Sequence, residues 1–116
     1  MFWKTRSKEG GVNAGSFQVL DPETYKKAIS NGKMQVVDVR TAREYKSGHI
    51  ANAINIDLFR PGYFRLEFHK LDKTKPLYLY CRSGQRSYKA AQKLLKWGFE
   101  EVYDLEGGIL KWQEER

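Results

Sequence analysis

The chain's single cysteine, Cys81, lies in Tyr78-Leu79-Tyr80-Cys81-Arg82-Ser83-Gly84-Gln85-Arg86-Ser87, between an apolar run and a segment of helical spacing. That position suits a nucleophile. Pro76 to Tyr80 reads as a short buried strand opened by a proline. Ser87, Ala90, Ala91, Leu94 and Leu95 recur at helical spacing until Gly98 stops them. The intervening six residues, Cys81 to Arg86, are expected to form a tight turn. Such a turn gathers backbone N–H groups into one concavity at the positive end of the helix, where anions bind. A thiolate at its rim is stabilised over the thiol, and Arg82 and Arg86 add to that field. Gly84 lets the backbone turn without a Cβ clash. The bland alternative is an inert core cysteine at a strand end.

The elements that must position this turn alternate between strand and helix. Phe17-Gln18-Val19-Leu20 alternates as a first strand. Asp21-Pro22-Glu23-Thr24 supplies an N-cap, a proline at the first helical position and an acidic first turn, predicting a helix to about Ser30 before Asn31-Gly32. Gln35 to Val39 is an uninterrupted β-branched run, as expected of a central parallel strand. Phe59 to Leu71 mixes aromatic and basic residues and predicts a short helix or looped lid whose aromatic face packs on the core. After the cysteine turn, the helix directs Lys89, Gln92, Lys93 and Lys96 outward, Val102-Tyr103 makes a final strand, and Gly107-Gly108 turns into a last helix packed through Ile109 and Trp112. The alternation is that of an α/β domain.

Asp38-Val39-Arg40 leaves the second strand at its carboxyl end, the side on which open α/β sheets place ligands. From spacing, Asp38 pairs with a basic neighbour and Arg40 pairs with Glu44, a structural network near the Cys81 turn. His49 raises the question of a Cys–His pair, yet a turn histidine serves more often as a hydrogen-bonding brace. Two distant histidines and one cysteine argue against a metal site.

The 116 residues fit one domain of ordinary core size. At 41% hydrophobic and 30% charged residues, the chain is not a disordered one. One cysteine allows no internal disulfide, so a reducing cytoplasm is the default compartment. Residues 1–15, with Gly10, Gly11 and Gly15, read as a flexible leader, and residues 16–116 as the domain. No apolar run is long enough for a signal peptide or a spanning helix, so no membrane partner is expected. The net charge of +7 is scattered and accompanies no zinc spacing, RNP-like motif or helix-turn-helix signal, which argues against nucleic acid and favours small anions or acidic proteins.

Cys81 to Ser87 after an apolar strand resembles the active-site loop of the rhodanese (thiosulfate sulfurtransferase) family. Val36-Val37-Asp38-Val39-Arg40 with Glu44-Tyr45, Gly48-His49-Ile50 and Ala53-Ile54-Asn55-Ile56 is similar to the family's first signature, and Leu105-Glu106-Gly107-Gly108-Ile109 with Trp112 to its last. The resemblance covers about residues 17 to 115. It implies a central, mostly parallel five-stranded sheet flanked by helices on both faces, where the residue patterns alone give four strands. It further implies that Cys81 takes a sulfane sulfur from thiosulfate or a similar small anion, carries it as a persulfide and passes it to cyanide, a thiol or an acceptor protein. The substrate would be held by Arg82, Ser83, Gly84, Gln85, Arg86 and Ser87 and supported by Asp38 and Arg40, with no metal or organic cofactor and the chain acting as a monomer. Some members carry a substrate-contacting arginine where this chain has Glu44, with Arg43 next to it. Cell-cycle-type dual-specificity phosphatases share the fold but place five residues between cysteine and arginine, against four between Cys81 and Arg86, so the loop length favours sulfur over phosphate-ester chemistry; arsenate reduction on the same short loop is a less favoured alternative. Family members also include sulfur carriers and interaction modules without turnover.

Overall fold

In the computed structural model, which describes residues 15–114, the runs rich in β-branched and aromatic residues form the strands of one sheet. The elements are β1 (Ser16–Leu20), α1 (Pro22–Ala28), β2 (Gln35–Asp38), α2 (Ala42–Lys46), β3 (Ile54–Asn55), α3 (Pro61–Phe68), β4 (Leu77–Tyr80), α4 (Gln85–Lys96), β5 (Glu101–Leu105) and α5 (Gly108–Glu114). The sheet has five strands in the order β1-β5-β4-β2-β3, and every pairing is parallel. The fifth strand, β3, is two residues long, too short for alternation to reveal it. The leader expected over residues 1–15 lies, apart from Gly15, outside the described residues.

Parallel strands are covered on both faces, which explains their continuous apolar character. Along β4 the pleat sends Leu77 and Leu79 to one side and Tyr78 and Tyr80 to the other. Leu77, Leu79 and Cys81 join Val37, Val39 and Val102 beneath Phe64 and Phe68 of α3 and Ala90, Ala91 and Leu94 of α4. Tyr78 and Tyr80 join Val36, Leu105, Tyr25 of α1 and Ile109 of α5. Each face thus has its own apolar layer, with β4 at the centre of both.

Local chemistry sets the helix ends. Asp21 caps α1 by accepting from the Thr24 amide at 2.8 Å, with Pro22 in the first turn, as the sequence indicates. Thr41 and Glu44 form a capping box on α2, which buries none of its residues. Helix α3 departs from expectation: Phe64 and Phe68 are buried, whereas Phe59 is 64% exposed and Leu66 60% exposed. The helix begins only at Pro61, so Phe59 precedes it, and Leu66 falls between the buried i and i+4 positions.

Candidate active site

Strand β2 leads through α2 to β3 on one side of the sheet, and β4 leads through α4 to β5 on the other. The carboxyl ends of β2 and β4 therefore meet where the winding reverses, the crevice in which open α/β sheets bind ligands. The Val39 amide donates to Tyr80 O at 3.0 Å as the two strands end, which brings Asp38, Arg40 and Cys81 to one place.

Cys81 is free and 1% exposed. Gly84, with φ of 111°, reverses the chain and caps α4, so the helix begins at Gln85, two residues before the expected Ser87, and the turn shortens to Cys81–Gly84. Two main-chain amides then point at the sulfur: Gly84 N at 3.1 Å and Ser87 N at 3.3 Å from Sγ. The Ser87 hydroxyl lies 3.4 Å from Sγ and 3.3 Å from Gly84 O. Within α4, the first-turn amides of Gln85 and Arg86 have no helical carbonyl to bond.

The turn is held from behind by α5. Ile109 N donates to Cys81 O at 2.9 Å, and Leu110 N donates to Arg82 O at 3.2 Å. Such close approach needs Gly108, because a Cβ there would stand 2.3 Å from Arg82 O. The Gly107-Gly108 pair marks a turn in the sequence, but its role as the backstop of the cysteine turn emerges only from the fold.

The charged residues rearrange the expected network. Arg40 is buried and forked onto Asp38, with Nε 2.9 Å from Oδ1 and Nη2 2.7 Å from Oδ2, and it also donates to Gly48 O. Asn55 Nδ2 completes the support by donating to Asp38 O and Arg40 O. The expected Arg40–Glu44 pair does not form. Glu44 instead takes a bidentate bond from Arg86, at 2.7 and 2.9 Å, because α4 starts early enough to place Arg86 opposite the capping box. That guanidinium, followed by the Thr41 bonds, holds the Glu44 carboxyl down to about 2 against the opposing effect of burial. Arg82, Ser83 and Gln85 are exposed around the turn, and a groove of about 600 Å³ lined by Thr41, Glu44, Leu58, Phe59, Gln85, Arg86 and Lys89 opens beside it. His49 is a brace, stacked on Tyr45 at 3.7 Å and donating from Nδ1 to Tyr45 O.

This arrangement coincides with a known family pattern: the rhodanese-like domain model matches residues 21–115. The chain belongs to the rhodanese-like domain family. A rhodanese-related protein of Thermoplasma volcanium shares the fold with a TM-score of 0.73 and 32% identity, over 84% of this chain and 92% of that one. The Bacillus subtilis protein YqhL is 42% identical over 80 residues, 69% of this chain and 61% of its own length. The tRNA uridine(34) hydroxylase of Acinetobacter baylyi is 41% identical over 102 residues, 83% of this chain but 32% of the hydroxylase. The rhodanese-like chain thus spans about a third of such hydroxylases. Among the described residues no helix is long and apolar enough to cross a membrane.

Proposed function

We propose that this rhodanese-like domain is a sulfurtransferase that moves a sulfane sulfur from thiosulfate or a similar anionic donor to cyanide or a thiol through a Cys81 persulfide. One observation carries the reading: a lone sulfur faced by two backbone amides and a hydroxyl, all within 3.4 Å. Fixed amide dipoles favour a thiolate over a thiol and equally favour the anionic outer sulfur of a persulfide.

The Cys81 thiolate attacks the outer sulfur of thiosulfate. A Cys81 S–S bond forms, the donor's S–S bond breaks, and its electron pair leaves with sulfite. A cyanide or thiolate acceptor then attacks the outer persulfide sulfur, departs as thiocyanate or a new persulfide, and returns the electron pair to Cys81. Gly84 and Ser87 supply the donors seen at Sγ, and the Gln85 and Arg86 amides supply donors to the transferred sulfur. Arg82, Ser83 and Gln85 meet the donor at the open rim. Arg86 contributes its field while tied to Glu44, and the Asp38–Arg40 fork fixes the end of β2 against which the turn rests.

Intact-mass analysis tests this reading. Thiosulfate adds the mass of one sulfur atom to the wild type, a reductant removes it, and Cys81→Ser gains nothing. Retention of sulfur by Cys81→Ser would overturn the assignment, and a wild type that gains none from thiosulfate or from any other sulfane-sulfur donor favours the interaction module without turnover.

The relatives named tRNA uridine(34) hydroxylase favour a second reading, in which this domain works on or beside RNA, contrary to the expectation from dispersed charge. The net charge of +7 is compatible with it. Titration of labelled tRNA at two salt concentrations decides the matter: affinity that falls steeply with salt supports an RNA partner, and absence of binding at low salt removes it.

A further inference from the structure

The groove beside the cysteine turn does not end at Lys89. A second groove of about 560 Å³, whose lining includes Leu58, Phe64, Arg65, Lys89, Lys93 and Trp97, shares Leu58 and Lys89 with the first. The two sections run between α3 and α4, from Gln85 and Arg86 at the turn to Trp97 at the far end of α4. Their floor is apolar because both helices lay their core sides here. Phe64 is buried, Leu58 and Trp97 pack against the same core layer, and the Phe64 and Trp97 rings are 5.9 Å apart.

Cations line this floor. Arg86, Lys89 and Lys93 follow one another at i, i+3 and i+7, so they share one face of α4. Lys89 and Lys93 are exposed, and among the described residues neither forms an ion pair. From α3, Arg65 lies over the Trp97 ring at 5.2 Å and likewise has no carboxylate partner among the described residues. Among the described residues lining either section, Glu44 is the one carboxylate, and Arg86 already neutralises it. An apolar floor edged by uncompensated cations attracts an occupant of the opposite charge.

Spacing narrows the occupant further. Lys89 and Lys93 are about 6 Å apart along the helix axis, and alternate residues of an extended chain are about 7 Å apart on one side. An extended peptide laid along α4 can therefore set acidic side chains at alternate positions against both lysines and turn the intervening apolar ones to the floor. A second copy of this chain fits poorly, since each copy carries a net charge of +7, and so does the chain's own first stretch, with Lys4, Arg6 and Lys8 against Glu9. Single-stranded nucleic acid draws on aromatic faces for its bases, whereas Arg86 and Arg65 already lie over the Phe59 and Trp97 rings.

We propose that the groove between α3 and α4 is the docking track for an extended, acidic segment of an acceptor protein, which brings that protein's cysteine thiol to Cys81. The proposal rests on the sulfurtransferase reading and names its acceptor class. The delivered thiolate attacks the outer sulfur of the Cys81 persulfide. A new S–S bond forms on the acceptor, the S–S bond to Cys81 breaks, and its electron pair returns to Cys81. Docking turns this second step into an effectively intramolecular one.

The test separates docking from chemistry. A short fluorescent peptide that alternates glutamate with leucine and ends in serine reports docking by anisotropy, and the same peptide with glutamine for glutamate is its control. Wild type binds the acidic peptide, less tightly as salt rises, and binds the neutral one about tenfold more weakly. The double variant Lys89→Glu and Lys93→Glu loses about tenfold in affinity for the acidic peptide, two exposed ion pairs being replaced by repulsion. The milder pair Lys89→Gln and Lys93→Gln loses less, in the same direction. Lys26→Glu with Lys33→Glu changes the net charge equally on exposed residues in and after α1, which covers the opposite face, and binds as wild type does. Equal binding of the two peptides, or equal losses in the two charge-reversed variants, overturns the proposal. So does a labelled single-stranded oligouridylate that binds more tightly than the acidic peptide and displaces it, since the groove then serves RNA. With cysteine in place of the terminal serine, mass analysis of the peptide reads persulfide transfer, and the preference for the acidic over the neutral peptide falls in the Lys89→Glu and Lys93→Glu variant. Salt-sensitive docking on a chain that retains no sulfur would sink the sulfurtransferase reading and leave the acidic-peptide site standing, whereas sulfur retention with both peptides bound alike does the reverse.

Discussion

Replacing Gly108 by alanine tests whether α5 sets the geometry of the cysteine turn. The new Cβ would lie 2.3 Å from Arg82 O and 2.7 Å from Cys81 O, both backbone atoms that cannot rotate away. Real Cβ contacts stay beyond 3.0 Å, so the Cys81–Arg82 peptide must retreat by about 0.7 Å or α5 must tilt. Either motion stretches the Ile109 and Leu110 bonds, worth about 1 kcal/mol each, and the left-handed φ of 65° adds about 1–2 kcal/mol of strain. The loss, about 2–4 kcal/mol, is below the usual 5–15 kcal/mol of a domain, so the variant stays folded. Because a 1 Å misplacement of reacting groups costs on the order of a hundredfold, thiosulfate:cyanide turnover should fall by at least tenfold. Gly107→Ala is the matched control. Its φ of 73° brings the same strain and its Cβ presses on Lys111 Cβ of α5 at 2.7 Å, so α5 must give there too, but no atom of the cysteine turn is among its three nearest contacts. Thiocyanate formation and thermal unfolding are measured on the same preparations. If folded Gly108→Ala turns over within twofold of Gly107→Ala, the α5 contact does not set the cradle.

Three further outcomes are expected. Glu44 has its pKa lowered from an ordinary 4.5 to about 2, so its pairing with Arg86 stabilises the fold above the unfolded value and is lost as pH falls through the folded one; after allowance for solvent screening, Glu44→Gln is less stable than wild type by about 1 kcal/mol at pH 7, and the gap closes between about pH 5 and pH 2 in denaturant titrations. Burial shifts Asp104 the other way, so its penalty is absent below the unfolded 3.8 and complete above about 6; Asp104→Asn should gain stability over wild type as pH rises through that window, and a constant difference refutes the assignment. Because Cys81 is 1% exposed, iodoacetamide should modify the native chain at a larger fraction of its unfolded-chain rate than a bulky maleimide does, and equal fractions would mean that the turn opens freely.

Most of the elements, and the place of Cys81 between a strand and a helix, were legible because their signals are local. Asp21-Pro22 brings its own cap and first-turn proline, and Val36 to Asp38 is buried. Contacts between separated segments were not legible. Spacing on one helix suggested Arg40 with Glu44, yet Glu44 is claimed by Arg86, 42 residues away, whose position depends on where α4 starts. That start in turn rests on the unusual φ of Gly84, and a glycine does not announce its dihedral angles. Asp104 follows Val102-Tyr103, the expected final strand, and only the register beside Leu79 shows that it belongs to β5 on the face that carries Leu79. Likewise the aromatic stretch from Phe59 resembles core by composition, although Phe59 itself is exposed and flanks the groove beside Arg86.

The pairing of Arg86 bears on which anion the turn is built to hold. A phosphate ester brings about two negative charges, and its recognition usually draws on free guanidinium groups that can fork onto its oxygens. Here Arg86 already forks onto Glu44, and that bond would have to break before Arg86 could fork onto a ligand. What remains close to Sγ is neutral: two amides and a hydroxyl. Neutral dipoles suffice for one sulfur atom bearing a single charge, and the four-residue turn leaves room for little more. Inserting a glycine between Gly84 and Gln85 would enlarge the ring and shift Arg86 by one helical position away from Glu44. Sulfur transfer should then fall by about a hundredfold, the cost of misplaced reacting groups, while the core layers above and below β4 keep the chain folded. A folded insertion variant that transfers sulfur at the wild-type rate would show that the size of the turn does not select the chemistry.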